Sequence, residues 1–434
     1  MKKGVKVLIG FAAALIVCGV ILALPPVWDR AVYYSREIFA EIKYALFPPA
    51  EAVFTPGESD PGYVATSVAA TIQSSFPSPT ATQSTPVATA EPTPTRTPLP
   101  PYAYLDGITP EPQLWNNCGP ATLSMYLSFY KWGHTQVDTA AVLKPNQRDK
   151  NVMPYEMVDF VNTYTDYNAL MRMGGDLQTL KTLVNAGFPV MVEKGFEPAD
   201  LKREGWMGHF NLIIGYDDAR QILITQDSYL LVHEDYDTST PGFEVTYADM
   251  EKNWRAFNFV FLVVYAPEKQ NDVLNALGPL ADETLAYQIA YQRALKETTT
   301  LTDKRDIFFA WFNTGTSLVY LRDYAGAASA YDTAYSVYPN IDTASRPWRM
   351  LWYQTGPYYA YYYSGRYQDV IDLANHTLDA MSEPVLEESY HWRALAKLAL
   401  GDRSGAVADF RKALDVHENF GPSLYQLQQL GETP

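Results

Sequence analysis

The chain of 434 residues is long enough for two or three domains, each with its own core, and it carries 49 acidic against 33 basic side chains, a net charge of −16. That balance, with no Lys/Arg-rich run, argues against a nucleic-acid partner. Its two cysteines, Cys18 and Cys118, cannot build a disulfide framework. No His/Cys/carboxylate cluster has metal-ligand spacing and there is no Gly-rich phosphate loop, so no metal or other cofactor is expected.

Lys2, Lys3 and Lys6 precede Val7 to Leu24, eighteen residues without a charge or a proline. The run is long enough for a transmembrane helix, ended by Pro25-Pro26, and residues 1–26 are read as an anchor in preference to a cleaved signal peptide, whose apolar core is shorter. The leading lysines set the orientation, with the C-terminal domains extracytoplasmic. Residues 27–76 form a juxtamembrane segment in which Trp28 to Phe47 reads as a short amphipathic helix, for the membrane surface or for self-association. Residues 77–101 hold eight prolines and nine Ser/Thr among 25 residues. Such a composition buries no apolar area and predicts an extended linker that holds the globular part away from the bilayer.

Beyond the linker stands Gln113-Leu-Trp-Asn-Asn-Cys118-Gly-Pro-Ala. Pro120 suits the first turn of a helix, and Leu123, Leu127 and Tyr130 continue it at i, i+4 and i+7. With Asn117 as N-cap, Cys118 falls at the helix start, where unpaired N–H groups and the positive end of the helix dipole favour a thiolate. A lone cysteine is more often a small buried hydrophobe; its setting among Asn, Gly and Pro favours the reactive reading.

A nucleophilic thiol needs a base and a group to orient that base. His209 opens the run Gly208 to Tyr216, Asp217-Asp218-Ala219 reads as a turn, and Arg220 to Asp227 returns as the second strand of a β-hairpin. Pairing Tyr216 with Arg220 sets His209 directly opposite Asp227, on one face of the sheet. His134 and His233 are the rival bases. His376, His391 and His417 read as exposed helix residues.

Cys118-Gly-Pro-Ala opening a helix, then Gly208-His209-Phe, Gly-Tyr-Asp-Asp and Asp227-Ser, together resemble a papain-like cysteine peptidase. More narrowly they resemble the bacteriocin-processing, double-glycine-leader peptidases and their stand-alone relatives, family thirty-nine of the cysteine peptidases. The resemblance covers residues 102–267 and implies an α+β fold with Cys118 as nucleophile, His209 as base, Asp227 as orienter and Gln113 as oxyanion-hole donor. In the family that glutamine stands six residues before the cysteine; here the gap is five, which leaves Asn116 and Asn117 as substitutes for Gln113. Helices at 136–143, 155–164 and 177–186, strands at 187–193, 243–246 and 257–265, and a short helix at 249–254 complete the domain.

From Ala281 the composition turns helical. Trp311, Gly315, Leu318, Ala327, Tyr331, Ala334 and Pro339 resemble a tetratricopeptide repeat, with weaker copies around Gly365 and Gly401. The resemblance implies that residues 272–434 form an independently folded helical array that binds a protein partner or the substrate. The whole reads as a membrane-anchored cysteine peptidase acting on a peptide or protein. The alternatives are an amide or isopeptide acyl-transfer enzyme and an inactive peptide-binding scaffold.

Overall fold

The computed structural model describes residues 25–46, 54–57, 98–146, 148–149, 151–198, 205–234, 240–381 and 383–434. The expected span at Val7–Leu24 and all but the last few residues of the Pro/Thr linker lie outside them. Among the described residues no helix is long and apolar enough to cross a membrane.

An all-antiparallel sheet occupies the middle of the chain, made of β1 (Tyr102–Tyr104), β2 (Asn168–Arg172), β3 (Val190–Phe196), β4 (Met207–Asp217), β5 (Ile222–Gln226), β6 (Phe243–Thr246) and β7 (Phe261–Tyr265). The strands run in the order β2-β7-β3-β4-β5-β6, and β1 pairs with the far end of β4. Strand β2 was not foreseen: its Ala-Leu-Met run favours helix by composition, and it extends only because it pairs along β7. Both faces of the sheet are covered. On one, Met191, Phe210, Leu212 and Leu262 pack under the helix α2 (Cys118–Phe129), with α3 (Gln136–Leu143) and α4 (Pro154–Tyr164) beside it. On the other, Val190, Val192, Ile213 and Val263 meet Leu180 and Leu183 of α5 (Leu177–Asn185) and, beyond the one-turn α6 (Leu230–His233), Trp254 of α7 (Tyr247–Trp254). Each such fully buried Leu or Val contributes on the order of 1.5–3 kcal/mol.

The helix α2 is locked onto the sheet by its polar atoms as well. The fully buried Tyr126 donates its hydroxyl to the Pro189 carbonyl and accepts from the Val264 N–H at 2.8 Å. A Cβ on Gly119 would already touch Val152 at 3.4 Å and the Phe210 ring at 3.5 Å, so the first turn sits close against β4.

Helices fill the C-terminal part: α8 (Gln270–Leu277), α9 (Glu283–Thr300), α10 (Lys304–Tyr320), α11 (Tyr324–Val337), α12 (Met350–Tyr353), α13 (Gly356–Tyr363), α14 (Tyr367–Asp379), α15 (Glu387–Ala399), α16 (Arg403–Val416) and α17 (Gly421–Gln429). From α9 onward each long helix packs on the next. Inside the best copy of the repeat pattern, Gly315 admits the Tyr331 ring where a Cβ would come within 2.8 Å of it.

The hydrophobic core does not divide near residue 267. Met173, Trp206, Phe257 and Val260 belong to one continuous cluster with Phe308, Phe312, Tyr353 and Tyr361. Polar contacts seal the same boundary: Gln354 donates to the Ala256 carbonyl at 2.7 Å, Asn313 to that of Arg255 at 2.7 Å, and Asn258 to the Ser317 hydroxyl at 2.9 Å. The helical part therefore shares its core with the sheet across this boundary. Two of its histidines also differ from expectation: His391 is buried against Ser423 at 3.0 Å and His417 meets Glu387 at 2.7 Å.

Gly208 lies at this junction, where a Cβ would come within 2.8 Å of both the Phe257 and Tyr353 rings. Both rings are buried, so Gly208→Ala should destabilise the chain by ~1–3 kcal/mol through overpacking. A lower denaturant midpoint at unchanged slope would register this; an unchanged midpoint would mean the rings yield freely.

The N-terminal helix α1 (Pro25–Leu46) also joins the body. Tyr33 is buried, packs edge-on against Trp115 at 5.5 Å and lies 3.2 Å from His233 Nε2, while the Tyr34 hydroxyl donates to the Val232 carbonyl at 3.0 Å. Phe54 is buried in the C-terminal helical core, and the Gly57 N–H donates to Asp369 at 2.8 Å. The stretches on both sides of the linker are thus docked on the same body.

Candidate active site

The site is built where the start of α2 meets the start of β4. Cys118 is the first residue of the helix, and Asn117 holds the N-cap position without capping it through its side chain. The Asn117 amide donates instead to Gln136 at 2.8 Å, and Gln136 in turn donates to Glu111 and the Pro112 carbonyl. This network fixes the turn ahead of Cys118. Asn116, forced to φ +55°, has its carbonyl held by the buried Lys144.

The hairpin register differs from the one expected. Asp217 pairs with Ile222, so the loop has four residues, and Asp217 itself accepts from the N–H groups of Ala219 and Arg220. Further along, Ile213 pairs with Thr225 and Leu212 with Gln226, because a bulge inserts one extra residue between Ile213 and Gly215. Continued one step, this register sets Asn211 opposite Asp227, with His209 diagonal to it. Without the bulge Asp227 would fall opposite Leu212 and turn to the other face, since one residue of slip exchanges faces. The extra residue restores the parity that the longer loop removes.

Asp227 thereby reaches His209 after all. His209 Nε2 and Asp227 Oδ1 lie 2.7 Å apart, both residues 2% exposed. Asn211 donates to the other carboxylate oxygen at 3.0 Å, and the N–H groups of Tyr229 and Leu230 donate to Oδ1. Burial alone would favour a neutral Asp227, but the His209 charge and hydrogen bond, the Lys194 charge and the Leu230 N–H hold it well below the usual carboxylate range.

With Nε2 given to Asp227, Nδ1 is the ring nitrogen left for the thiol, and His209 and Cys118 hydrogen bond. Burial would push the His209 pKa down; the Asp227 carboxylate and the Cys118 sulfur together push it up to about 9. Burial would likewise raise the Cys118 thiol, but the His209 hydrogen bond and charge, the Lys144 charge and the Phe210 N–H bring it below its ordinary value. Both shifts favour the thiolate–imidazolium form of the pair. Phe196 and Tyr229 surround the imidazole at 4.9 and 6.2 Å between ring centroids and keep it out of bulk water.

The rival bases are elsewhere. His134 is exposed beside Asp138 at 3.7 Å, and His233 stacks on Tyr229 at 4.1 Å with Glu37 at 3.4 Å. Of the three amides before the cysteine, Asn117 is spent on Gln136. Gln113 is oriented by the residue after Asp227: its N–H donates to the Ser228 carbonyl and its Oε1 accepts from the Ser228 hydroxyl, both at 3.0 Å. One loop, Asp227-Ser228, thus orients both the imidazole and the glutamine.

Sequence reasoning missed Asn211, Lys144 and Tyr353. Asn211 could have been found as the i+2 neighbour of His209 on the same strand face. Tyr353 could not: it comes from α12, packs beside Gly208 and lines two cavities. One, of about 550 Å³, has Trp115, Asn116 and Met207 on one wall and Phe39, Lys43 and Tyr44 of α1 on another. Among the described residues no group of three or more His, Cys, Asp or Glu is arranged to hold a metal ion.

Comparison with known proteins adds the following. Residues 99–261 match the model of the Peptidase_C39 like family. A solved structure from Bacillus anthracis, named a C39-like peptidase, is 17% identical and aligns over 38% of this chain and 97% of its own, with a TM-score of 0.30. That score is too low to argue geometry from. No curated protein matches the chain.

Proposed function

Taking residues 99–261 as a Peptidase_C39-like domain, we propose that the chain is a cysteine peptidase in which Cys118, His209 and Asp227 act together. The Cys118 thiolate attacks the carbonyl carbon of a peptide bond. The imidazolium of His209, held by Asp227, donates its proton to the leaving amine, and neutral His209 then takes a proton from the water that hydrolyses the thioester. The Gln113 side-chain amide and the Cys118 N–H, one of the unpaired donors at the helix start, bind the oxyanion. The observation that carries this reading is the buried His209 ring bridging Cys118 and a fully satisfied Asp227 carboxylate.

The test is incubation of the full-length chain with a peptide mixture and identification of new termini by mass spectrometry, with a thiol-directed covalent peptidase probe in parallel. New free carboxyl termini with probe labelling at Cys118 support hydrolysis. Products joined to an added amine in place of water would mean acyl transfer, and neither products nor labelling would mean a peptide-binding scaffold.

The peptidase is held on the membrane by Val7–Leu24 with its folded part outside the cytoplasm. Helix α1, which follows that span, exposes Trp28, Ile38, Ile42 and Leu46 at 57, 59, 53 and 67% on the side away from Tyr33, which suits a helix lying at a bilayer surface. Recovery of a soluble mature chain beginning near Pro25 would refute the anchor. The helical part serves the substrate through Tyr353, which lines the cavities beside β4; a protein partner bound by the repeats of residues 272–434 belongs to the same proposal on the strength of the repeat resemblance.

A further inference from the structure

The second cavity that Tyr353 lines, of about 580 Å³, lies between the sheet and the C-terminal helices. Met153, Phe257, Tyr287, Tyr353 and Tyr359 give it apolar and aromatic walls. Its inner surface carries Glu193, which pairs with Phe210 in the β3–β4 ladder and is 2% exposed. The Glu193 Oε1 atom is buried without a hydrogen-bond partner. A native fold leaves few such groups, and each asks for an explanation.

The position of Glu193 supplies one. Phe210, its ladder partner, is the residue against which the first turn of α2 rests and whose N–H reaches the Cys118 sulfur. Gly208, the neighbour of His209, abuts the Phe257 and Tyr353 rings of the cavity wall, where a Cβ would come within 2.8 Å of both. The cavity therefore adjoins the strand pair that carries the site, and its one deeply buried acid has an oxygen to spare. At the rim stand Glu283, which accepts from the Tyr287 hydroxyl at 2.8 Å, and Arg322.

We propose that this cavity is a substrate side-chain subsite and that Glu193 selects a lysine or arginine side chain next to the bond cleaved. The proposal rests on the peptidase reading above. A long aliphatic stem fits against the Phe257, Tyr287 and Tyr353 rings, and its cationic end meets both the aromatic faces and the unpaired carboxyl. A leucine or methionine would fill the same space and leave Glu193 without a partner, and an acidic side chain would face another acid. In the empty cavity burial, and then the charge on Cys118, hold the Glu193 carboxyl well above the usual range. An arriving ammonium group reverses that, and the carboxyl proton passes to solvent as the ion pair forms.

Calorimetric titration of the full-length Cys118→Ala chain with acetyl-Ala-Ala-Lys-Ala-Ala-amide, and with its norleucine counterpart, tests this without turnover. The lysine peptide is expected to bind at least ~10-fold more tightly, the effect of one charge-assisted contact. Its binding should release about one proton, read from the heats in buffers of different ionisation enthalpy. Adding Glu193→Gln, which exchanges one neutral group for another of the same shape, should remove both the preference and the proton release. Equal affinities, no binding of the lysine peptide, no proton release in the Cys118→Ala chain, or a preference that survives Glu193→Gln would each overturn the subsite. Lysine-selective binding without hydrolysis by the unsubstituted chain would sustain the subsite and remove the peptidase reading, so the two fail separately.

Discussion

Cys118→Ala should reduce peptide hydrolysis to the uncatalysed background, and His209→Ala should cost at least ~10⁴-fold in kcat, because nucleophile and base act as one unit whose parts are not additive. Cys118 is the only cysteine among the described residues, and no other histidine is hydrogen bonded to it. The fold should survive both changes. Gly119 and Phe210 set the helix on the sheet, and neither substitution alters their contact. Peptide release measured by mass spectrometry, with circular dichroism as the control on folding, checks this. Activity within ten-fold of the parent chain in either variant would mean that the reacting groups lie elsewhere.

Asp227→Asn is the second large effect. The carboxylate holds the imidazole by a 2.7 Å contact and is the chief group that raises the His209 pKa to about 9 against burial. Asparagine presents no charge and should lower kcat/KM by up to ~10⁴-fold, the loss found when a triad base is left without its orienting carboxylate. The pH profile separates this from a structural defect. In the parent chain activity should fall in alkali with a midpoint near 9, as His209 loses its proton; in Asp227→Asn that limb should move to lower pH. Stability has its own sign. The folded pKa of Asp227 is depressed below 3.8, so its contribution is present above that value and is lost as the pH falls toward the folded pKa. The parent chain should therefore lose stability in acid more steeply than Asp227→Asn. Parallel acid limbs would show that Asp227 is not held ionised.

How far this site could be read in advance depended on whether its causes were local. The placement of Cys118 was legible because Asn117, Gly119 and Pro120 mark a helix start within a few residues. His209 and Asp227 were correctly brought together on a mistaken register. The bulge at Ile214 and the four-residue loop are set by the pairing of β1 and β6 around the hairpin, which the hairpin's own residues do not encode. Because the error amounted to two residues, parity was kept and the pair survived. Glu193 was out of reach: it closes the strand expected at 187–193, and the cavity it is buried in is lined by Tyr353, 160 positions away. Likewise nothing in Trp28 to Phe47 distinguishes a helix that lies on a membrane from one that also leans on Trp115 and His233. The continuous core has the same origin: the helix pattern from 281 onward shows that apolar faces exist and does not show that Phe257 and Trp206 fill one of them.

The central claim is that His209 keeps Cys118 as a thiolate at the start of α2. The rate of Cys118 alkylation by iodoacetamide, followed by mass spectrometry across pH in the parent chain and in His209→Ala, measures this without a substrate. The parent chain should react at pH values well below the ordinary thiol midpoint of 9.0, and His209→Ala should need a higher pH to reach the same rate. Superimposable profiles, or a parent profile centred on the ordinary thiol value, would contradict the account.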